Sequence, residues 1–277
     1  MSDTIENSLN LLLDTAKKLG AESASVVGGE NTSINVAARL GKLENIERNE
    51  SKSIGLQIID NKRKVNLSST NFNKDALIEL VESAMSMIKS IPEDEFCGLA
   101  DKEMLYKGNL DLDLVDNYIP ENDLLLKSSI EAEDSALSIN GVTNSEGASS
   151  SYSKNKIFLA TSDGFYNYKE KTNYSNSISV IAGKGTKMER DYEYQSKIHN
   201  KDLDAPKTIG EIAANRAVSR LNPKKVKSNS VPIIFDPRVS GSLLSLFTSG
   251  ISGQAVARGT SFLKDKMKKN IFKKDIQ

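Results

Sequence analysis

The chain has 277 residues, 38% of them hydrophobic, with 37 basic and 37 acidic side chains, so its formal net charge at neutral pH is zero. That balance leaves no global electrostatic footprint for a nucleic acid, the single Cys97 excludes an intrachain disulfide, and no apolar run approaches the ~20 residues of a membrane-spanning helix. The length suits roughly two domains, and the polar start Ser2-Asp3-Thr4-Ile5-Glu6-Asn7 lacks the basic and apolar regions of a signal peptide, which makes the cytoplasm the expected compartment.

Over residues 4–19, Ile5, Leu9, Leu12, Leu13 and Ala16 form one helical stripe, which Gly20 stops. Extended stretches follow at 21–27, 32–40 and 42–48, separated by Gly28-Gly29 and by Gly41, glycines that supply the positive φ of tight turns. Residues 53–59 and 64–69 flank Asp60-Asn61-Lys62-Arg63 as a further hairpin. Asn73 is placed to cap a helix reaching Lys89, with Leu77, Leu80, Val81, Ala84 and Ile88 on its stripe. Helix, strands and helix describe an α+β unit over residues 1–91, with helices on one face of an antiparallel sheet. Residues 92–119 contain Glu93-Asp94-Glu95 and Asp101-Lys102-Glu103 without sustained periodicity and read as a connector.

Pro120 opens a second α+β unit, 120–226. A helix at 124–137 carries Leu124, Leu125, Ile130, Ala132 and Ala136, and a β-meander follows at 142–153, 156–162, 164–173, 175–182 and 187–198. Asp163-Gly164 is its strongest hairpin signal, and Lys154-Asn155 and Gly183-Lys184-Gly185 are further expected turns. A helix at 208–221 ends at Asn222-Pro223. The last segment, 227–277, begins with Val231-Pro232-Ile233-Ile234-Phe235, apolar on both faces and expected as a buried strand. Asp236-Pro237 then starts a helix bearing Leu243, Leu244, Phe247 and Ile251. One strand and one helix do not close a core, so this segment reads as the start of an incomplete C-terminal domain. Its lysines, Lys264, Lys266, Lys268, Lys269, Lys273 and Lys274, read as a solvated face or tail.

Candidate contacts fall in two places. Over residues 188–194, strand alternation puts Met188, Arg190, Tyr192 and Tyr194 on one face and Glu189, Asp191 and Glu193 on the other. The acidic face is expected to meet solvent, while Arg190, Tyr192 or the edge backbone could contact a peptide bound as an added strand. In residues 242–261, Ser245, Ser249, Gly250 and Gly253 would let another helix or chain approach closely, the equal alternative being an internal core helix, and Arg258 is a candidate substrate or subunit contact. Gly250 and Gly253 each weaken a helix by roughly 1 kcal/mol, which places its end near Gly250 unless a partner supports it. Catalytic readings of other residues find no support. Cys97 and His199 lack an orienting third group, and His199 is expected at the surface. Gly183-Lys184-Gly185-Thr186-Lys187 lacks phosphate-loop spacing, and Ser149, Ser150 and Ser151 lack a nucleophile elbow.

Several segments together resemble one family. Ala21-Glu22-Ser23-Ala24 with Arg39-Leu40-Gly41-Lys42-Leu43-Glu44-Asn45-Ile46-Glu47, then Gly98-Leu99-Ala100-Asp101-Lys102-Glu103, Met188-Glu189-Arg190-Asp191-Tyr192 and Leu221-Asn222-Pro223-Lys224-Lys225, are similar to the TldD/TldE (PmbA) family of modulators of DNA gyrase and peptide maturation. Asn144-Ser145-Glu146-Gly147-Ala148 resembles the "NTEG" turn of TldE-type subunits. The strand, small-residue helix and Arg258-Gly259-Thr260-Ser261 look like the point where the TldD-type subunit carries a zinc-binding HExxxH helix. Such a helix works because two imidazoles one turn apart hold zinc and the glutamate activates water. Here those positions read Ser245-Leu246-Phe247-Thr248-Ser249-Gly250, and residues 242–261 contain no His, Cys, Asp or Glu.

The resemblance is therefore to the TldE/PmbA-type subunit. It implies a chain that binds no metal and holds no catalytic residue, partnered in a cytoplasmic heterodimer by a TldD-like subunit carrying zinc. Such complexes trim unstructured or leader-bearing peptides, as in the maturation of peptide antibiotics. A further C-terminal domain normally follows in the family, so the resemblance also implies truncation here. The second reading is a module that binds peptides or partner proteins with no part in catalysis, and copurification with a zinc-bearing partner distinguishes the two.

Overall fold

Two long hairpins lie side by side and share one sheet. In the first, β1 (Ser23–Arg39) pairs with β2 (Lys42–Asp60), which pairs with β3 (Arg63–Ser69). In the second, β4 (Val142–Thr161) pairs with β5 (Tyr166–Ala182) and β5 with β6 (Glu189–Lys197). β1 also pairs with β4, from Ser25 opposite Thr161 to Ala38 opposite Ala148, giving one antiparallel sheet in the order β3-β2-β1-β4-β5-β6. The α+β class expected from the sequence is the one observed. This computed structural model describes residues 2–108 and 110–272, and the chain divides into a unit of residues 1–223, which holds the sheet, and a unit of residues 224–277.

The strands outrun their sequence signals. β1, β2, β4 and β5 run 17, 19, 20 and 17 residues, so the breaks expected at Gly28-Gly29 and Lys154-Asn155 do not occur. Gly28 marks a close approach instead. A Cβ there would lie 2.7 Å from Ile5 Cγ2 and 3.6 Å from Phe158 Cβ, so α1 (Ser2–Lys18) reaches the sheet only because this position has no side chain. Lys154 is polar because it joins Lys156 in gripping Glu170, at 2.9 and 2.8 Å, in mid-strand. The true reversals fall where positive φ is available: Leu40-Gly41, Asn61-Lys62 and Gly164.

Residues of one parity face the helices. Ile5, Leu9, Leu12 and Ala16 of α1 and Leu77, Val81 and Ala84 of α2 (Lys74–Met87) bury against Val26, Ile54, Leu56, Ile58 and Phe158. Each Val, Leu, Ile or Phe among them contributes about 1.5–3 kcal/mol by leaving water. Asn73 holds the N-cap position of α2, but its side chain makes no capping hydrogen bond. α3 (Asn122–Leu137) and α4 (Pro206–Ser219) cover the other half, packing Ala132, Ala136, Ile209, Ala213 and Ala217 on Ala148, Ile178 and Val180.

The opposite parity forms a second face of different character. It presents Asn31, Ser33 and Asn35 on β1, Ser149, Ser151 and Ser153 on β4, and Asn173, Ser175, Ser177 and Ser179 on β5. Hydroxyls pair across strands, Ser149 with Ser177 at 2.9 Å and Ser151 with Ser175 at 2.7 Å. Ser150 points the other way, buried beneath the helices and donating to Asn176 Oδ1 at 2.7 Å.

The connector is docked along β5. Thr172 N–H donates to Leu114 O at 2.9 Å, and Asp116 N–H donates to Thr172 Oγ1 at 2.8 Å. His199 is half-buried against this segment, its Nε2 3.2 Å from Asp113 Oδ1, which corrects the expected surface position.

In the second unit, α5 (Pro237–Gly250) starts as expected, with the Asp236 carboxylate accepting from Arg238 N–H at 2.9 Å. A short α6 (Gly253–Ala257) follows. Val231-Pro232-Ile233-Ile234-Phe235 is not a buried strand: no described strand pairs with it, and Ile234 is 96% exposed. A strand exists only through a neighbour's ladder of hydrogen bonds, and apolarity alone does not supply one. Leu243, Leu244 and Leu246 of α5 are also exposed. Lys273 and Lys274 lie outside the described residues, and no described helix is long and apolar enough to cross a membrane.

Candidate functional site

Two β-bulges shape one end of the polar face. Between Ala37 opposite Asn45 and Ala38 opposite Leu43, the register slips and leaves Glu44 as the extra residue of β2. Between Ser145 opposite Val180 and Gly147 opposite Ser179, it slips again and leaves Glu146 as the extra residue of β4. A bulge bends its strand and re-aims the inserted side chain. Gly147 makes the second bulge possible: its φ is 110°, and a Cβ there would lie 3.2 Å from Ala38 O and 3.6 Å from Glu44 Oε2. The segment expected as an "NTEG"-like turn is thus a bulged stretch inside a strand.

Both glutamates line a trough of about 440 Å³, floored by Ala37, Gly147, Ser149 and Ser177 and walled by Tyr192 and Tyr194 of β6. The two tyrosine rings stack at 6.3 Å between centroids and stand 51% and 62% exposed. Ser179 Oγ donates to Glu146 Oε2 at 2.7 Å, and Arg190 Nη1 lies 3.2 Å from the same oxygen. The Ser179 hydroxyl first, then the charges of Arg190 and Arg39, hold the Glu146 carboxyl below its ordinary range. Because the folded value is the lower one, this contribution is complete above the unfolded value of about 4.3 and is lost as pH falls through the folded value. Ser179→Ala is therefore expected to move the Glu146 titration upward, read by carboxyl carbon NMR, with the effect of the substitution on stability present near neutral pH and gone in strong acid. Glu44 forms no hydrogen bond or ion pair among the described residues.

The other face of β6 is not solvent-facing, contrary to expectation. Asp191 is 3% exposed and sits 2.8 Å from Arg220 Nε, and Glu193 pairs with Arg216. Arg216 and Arg220 are one helical turn apart, so the end of α4 presents both guanidinium groups to the strand. The same carboxylates also accept from the backbone, Asp191 Oδ1 from Tyr192 N–H at 2.8 Å and Glu193 Oε1 from Tyr194 N–H at 3.0 Å.

Of the residues singled out by sequence, Tyr192 lines this trough and Arg190 stands at its edge, 3.2 Å from Glu146, together with Glu44, Glu146, Ser179 and Tyr194, which sequence reasoning missed as site residues. A glycine inside a strand pattern, Gly147, was the available signal for a bulge. Ser245, Ser249, Gly250, Gly253 and Arg258 belong to the other unit. Ser245 and Ser249 are exposed and donate to carbonyls of their own helix, Gly241 O at 3.1 Å and Leu246 O at 2.8 Å. Gly250 is the packed one: a Cβ would lie 2.8 Å from Phe262 Cζ, and Ser261 Oγ donates to Gly250 O at 2.5 Å. Gly253 has open space around it and Arg258 is exposed. Zinc needs nitrogen, sulfur or carboxylate donors, and Ser245-Leu246-Phe247-Thr248-Ser249-Gly250 provides none, so these residues do not fit that metal.

Family models of the PmbA/TldA metallopeptidase match along the chain: domain 1 over residues 24–88, the central domain over 119–221 and the C-terminal domain over 228–277. Metalloprotease PmbA of Escherichia coli O157:H7 is 33% identical over 253 residues, 91% of this chain and 56% of that protein. The Metalloprotease PmbA homologue of Haemophilus influenzae is 32% identical over 269 residues, 96% of this chain and 59% of that protein. The chain thus spans well under two thirds of these curated relatives. Among solved structures, a proposed modulator of DNA gyrase from Bacteroides thetaiotaomicron superposes with a TM-score of 0.86 at 25% identity, covering 94% of this chain and 60% of that one. TldE from Thermococcus kodakarensis shares the fold, with a TM-score of 0.75 at 18% identity over 94% of this chain and 57% of its own. The chain belongs to the PmbA/TldD metallopeptidase family.

Proposed function

We propose that this chain acts as a non-catalytic, TldE/PmbA-type subunit of a cytoplasmic, heterodimeric zinc metallopeptidase that processes unstructured or leader-bearing peptides. The observation that carries the reading is the run Ser245-Leu246-Phe247-Thr248-Ser249-Gly250, where donor side chains are absent from the helix that holds zinc in TldD-type subunits. The named relatives are metalloproteases and one solved neighbour is a TldE, which supports a role inside such an assembly. Zinc in a TldD-like partner would polarise the scissile carbonyl and activate water.

The part left to this chain is to hold and orient the peptide. Its face of serines and asparagines offers donors and acceptors to a peptide main chain without demanding particular side chains, which suits substrates defined by lack of structure. The test has two arms. Zinc measured on the purified chain is expected to be substoichiometric, and a zinc-bearing TldD-like protein is expected to copurify with it and to lose peptidase activity in its absence. Tight one-to-one zinc binding with intrinsic proteolysis overturns the proposal.

A further inference from the structure

We infer that the trough between Glu44, Glu146, Tyr192 and Tyr194 is a subsite for a cationic side chain, arginine or lysine, of a peptide lying across the Ser/Asn face. This rests on the peptide-holding role proposed above and names a class of substrate for it. Two glutamate side chains, Glu44 and Glu146, face the trough, with Arg190 against Glu146 at its edge. Glu193 is committed to Arg216 on the helix side, and Glu146 is held by Ser179 and Arg190. Glu44 is left to meet a ligand.

Three further observations make this more than a set of acidic residues. Both trough-facing glutamates are bulge insertions, on strands that flank β1 from either side, so two separate departures from regular pairing converge on one place. The facing wall is a stacked pair of exposed tyrosine rings, whose π faces attract organic cations. The floor is small and uncharged, Ala37, Gly147, Ser149 and Ser177, which leaves length for an extended side chain. Arg190 already shows the geometry from within the protein, its guanidinium lying against Glu146. An incoming cation would take the complementary place, between Glu44 and the rings.

The decisive measurement is fluorescence anisotropy on the full 277-residue chain with labelled Gly/Ser peptides that carry Arg, Gln or Glu at one central position. The arginine peptide is expected to bind about five- to tenfold tighter than the glutamine peptide, the sum of one exposed charge pair and one cation–π contact, and the glutamate peptide weakest. Glu44→Gln and Tyr192→Ala are each expected to bring the arginine peptide to within about twofold of the glutamine peptide measured on the same variant. Equal binding of the arginine and glutamine peptides by the native chain overturns the subsite and leaves the subunit reading standing. Discrimination that persists in Glu44→Gln,Tyr192→Ala also overturns it. Failure of every peptide to bind overturns the subsite together with the peptide-holding role.

Discussion

Gly210→Ala is expected to lower the stability of the sheet-bearing unit by about 2–3 kcal/mol, against the sign that helix propensity alone gives. Gly210 lies inside α4, where alanine normally stabilises by about 1 kcal/mol. Here a Cβ would sit 2.1 Å from Ala132 O and 2.1 Å from Ser135 Oγ of α3. A serine hydroxyl can rotate away, but the Ala132 carbonyl is backbone and moves only if the two helices part. Parting them opens Ile209, Ala213 and Ala217 from Ala132 and Ala136, and overpacking of this kind costs about 1–3 kcal/mol or more. Urea denaturation of Gly210→Ala beside Gly98→Ala checks it, because Gly98 has open space around it and its variant is expected to stay within about 0.5 kcal/mol of the native chain. A stabilised Gly210→Ala would show that the helices do not meet as described.

Phe158→Ala carries the other large effect, a loss of about 3–5 kcal/mol. Phe158 is fully buried on the central strand β4, next to the one glycine of β1 that admits Ile5 of α1. Its ring also stacks with Tyr168 at 5.8 Å and lies 5.3 Å from the Lys156 ammonium, which in turn grips Glu170. Truncation therefore leaves a cavity between sheet and helix and removes the aromatic surface over which Lys156 lies. Phe158→Leu retains most of the volume and is expected to lose roughly half as much, by cavity size. Equilibrium unfolding of both variants decides the matter. A cost below about 1 kcal/mol for the alanine variant would mean that α1 does not rely on this contact.

Helices and tight turns were legible in the sequence because their signals are local. The stripe Ile5, Leu9, Leu12 and Ala16 needs only a period of 3.6, and Gly41 and Asp163-Gly164 announce their own backbone angles. What escaped depends on neighbours. Gly28-Gly29 looks like a turn until the helix above it is known, and Val231-Pro232-Ile233-Ile234-Phe235 looks like a strand until its lack of a described partner is known. The pairing of β1 with β4 joins residues more than a hundred positions apart and leaves no mark on either segment alone. Glu44 and Glu146 are the sharpest case, since a bulge is a mismatch between two strands and neither strand's sequence contains the register of the other. The acidic stretch Glu189, Asp191 and Glu193 was misread for a related reason: Arg216 and Arg220, which answer it, come from a helix that follows it in the chain.

The carboxylates of Asp191 and Glu193 have one more consequence. β6 ends the sheet, and the terminal strand of a sheet is normally a template on which further strands accumulate, up to fibrils. By folding back onto the amide hydrogens of Tyr192 and Tyr194 while anchored to α4, these two side chains occupy donors that an incoming strand would need. This edge is thereby blunted at two of its amides. A strand guarded in this way withholds these two amides from a neighbour while leaving the wettable Ser/Asn face open.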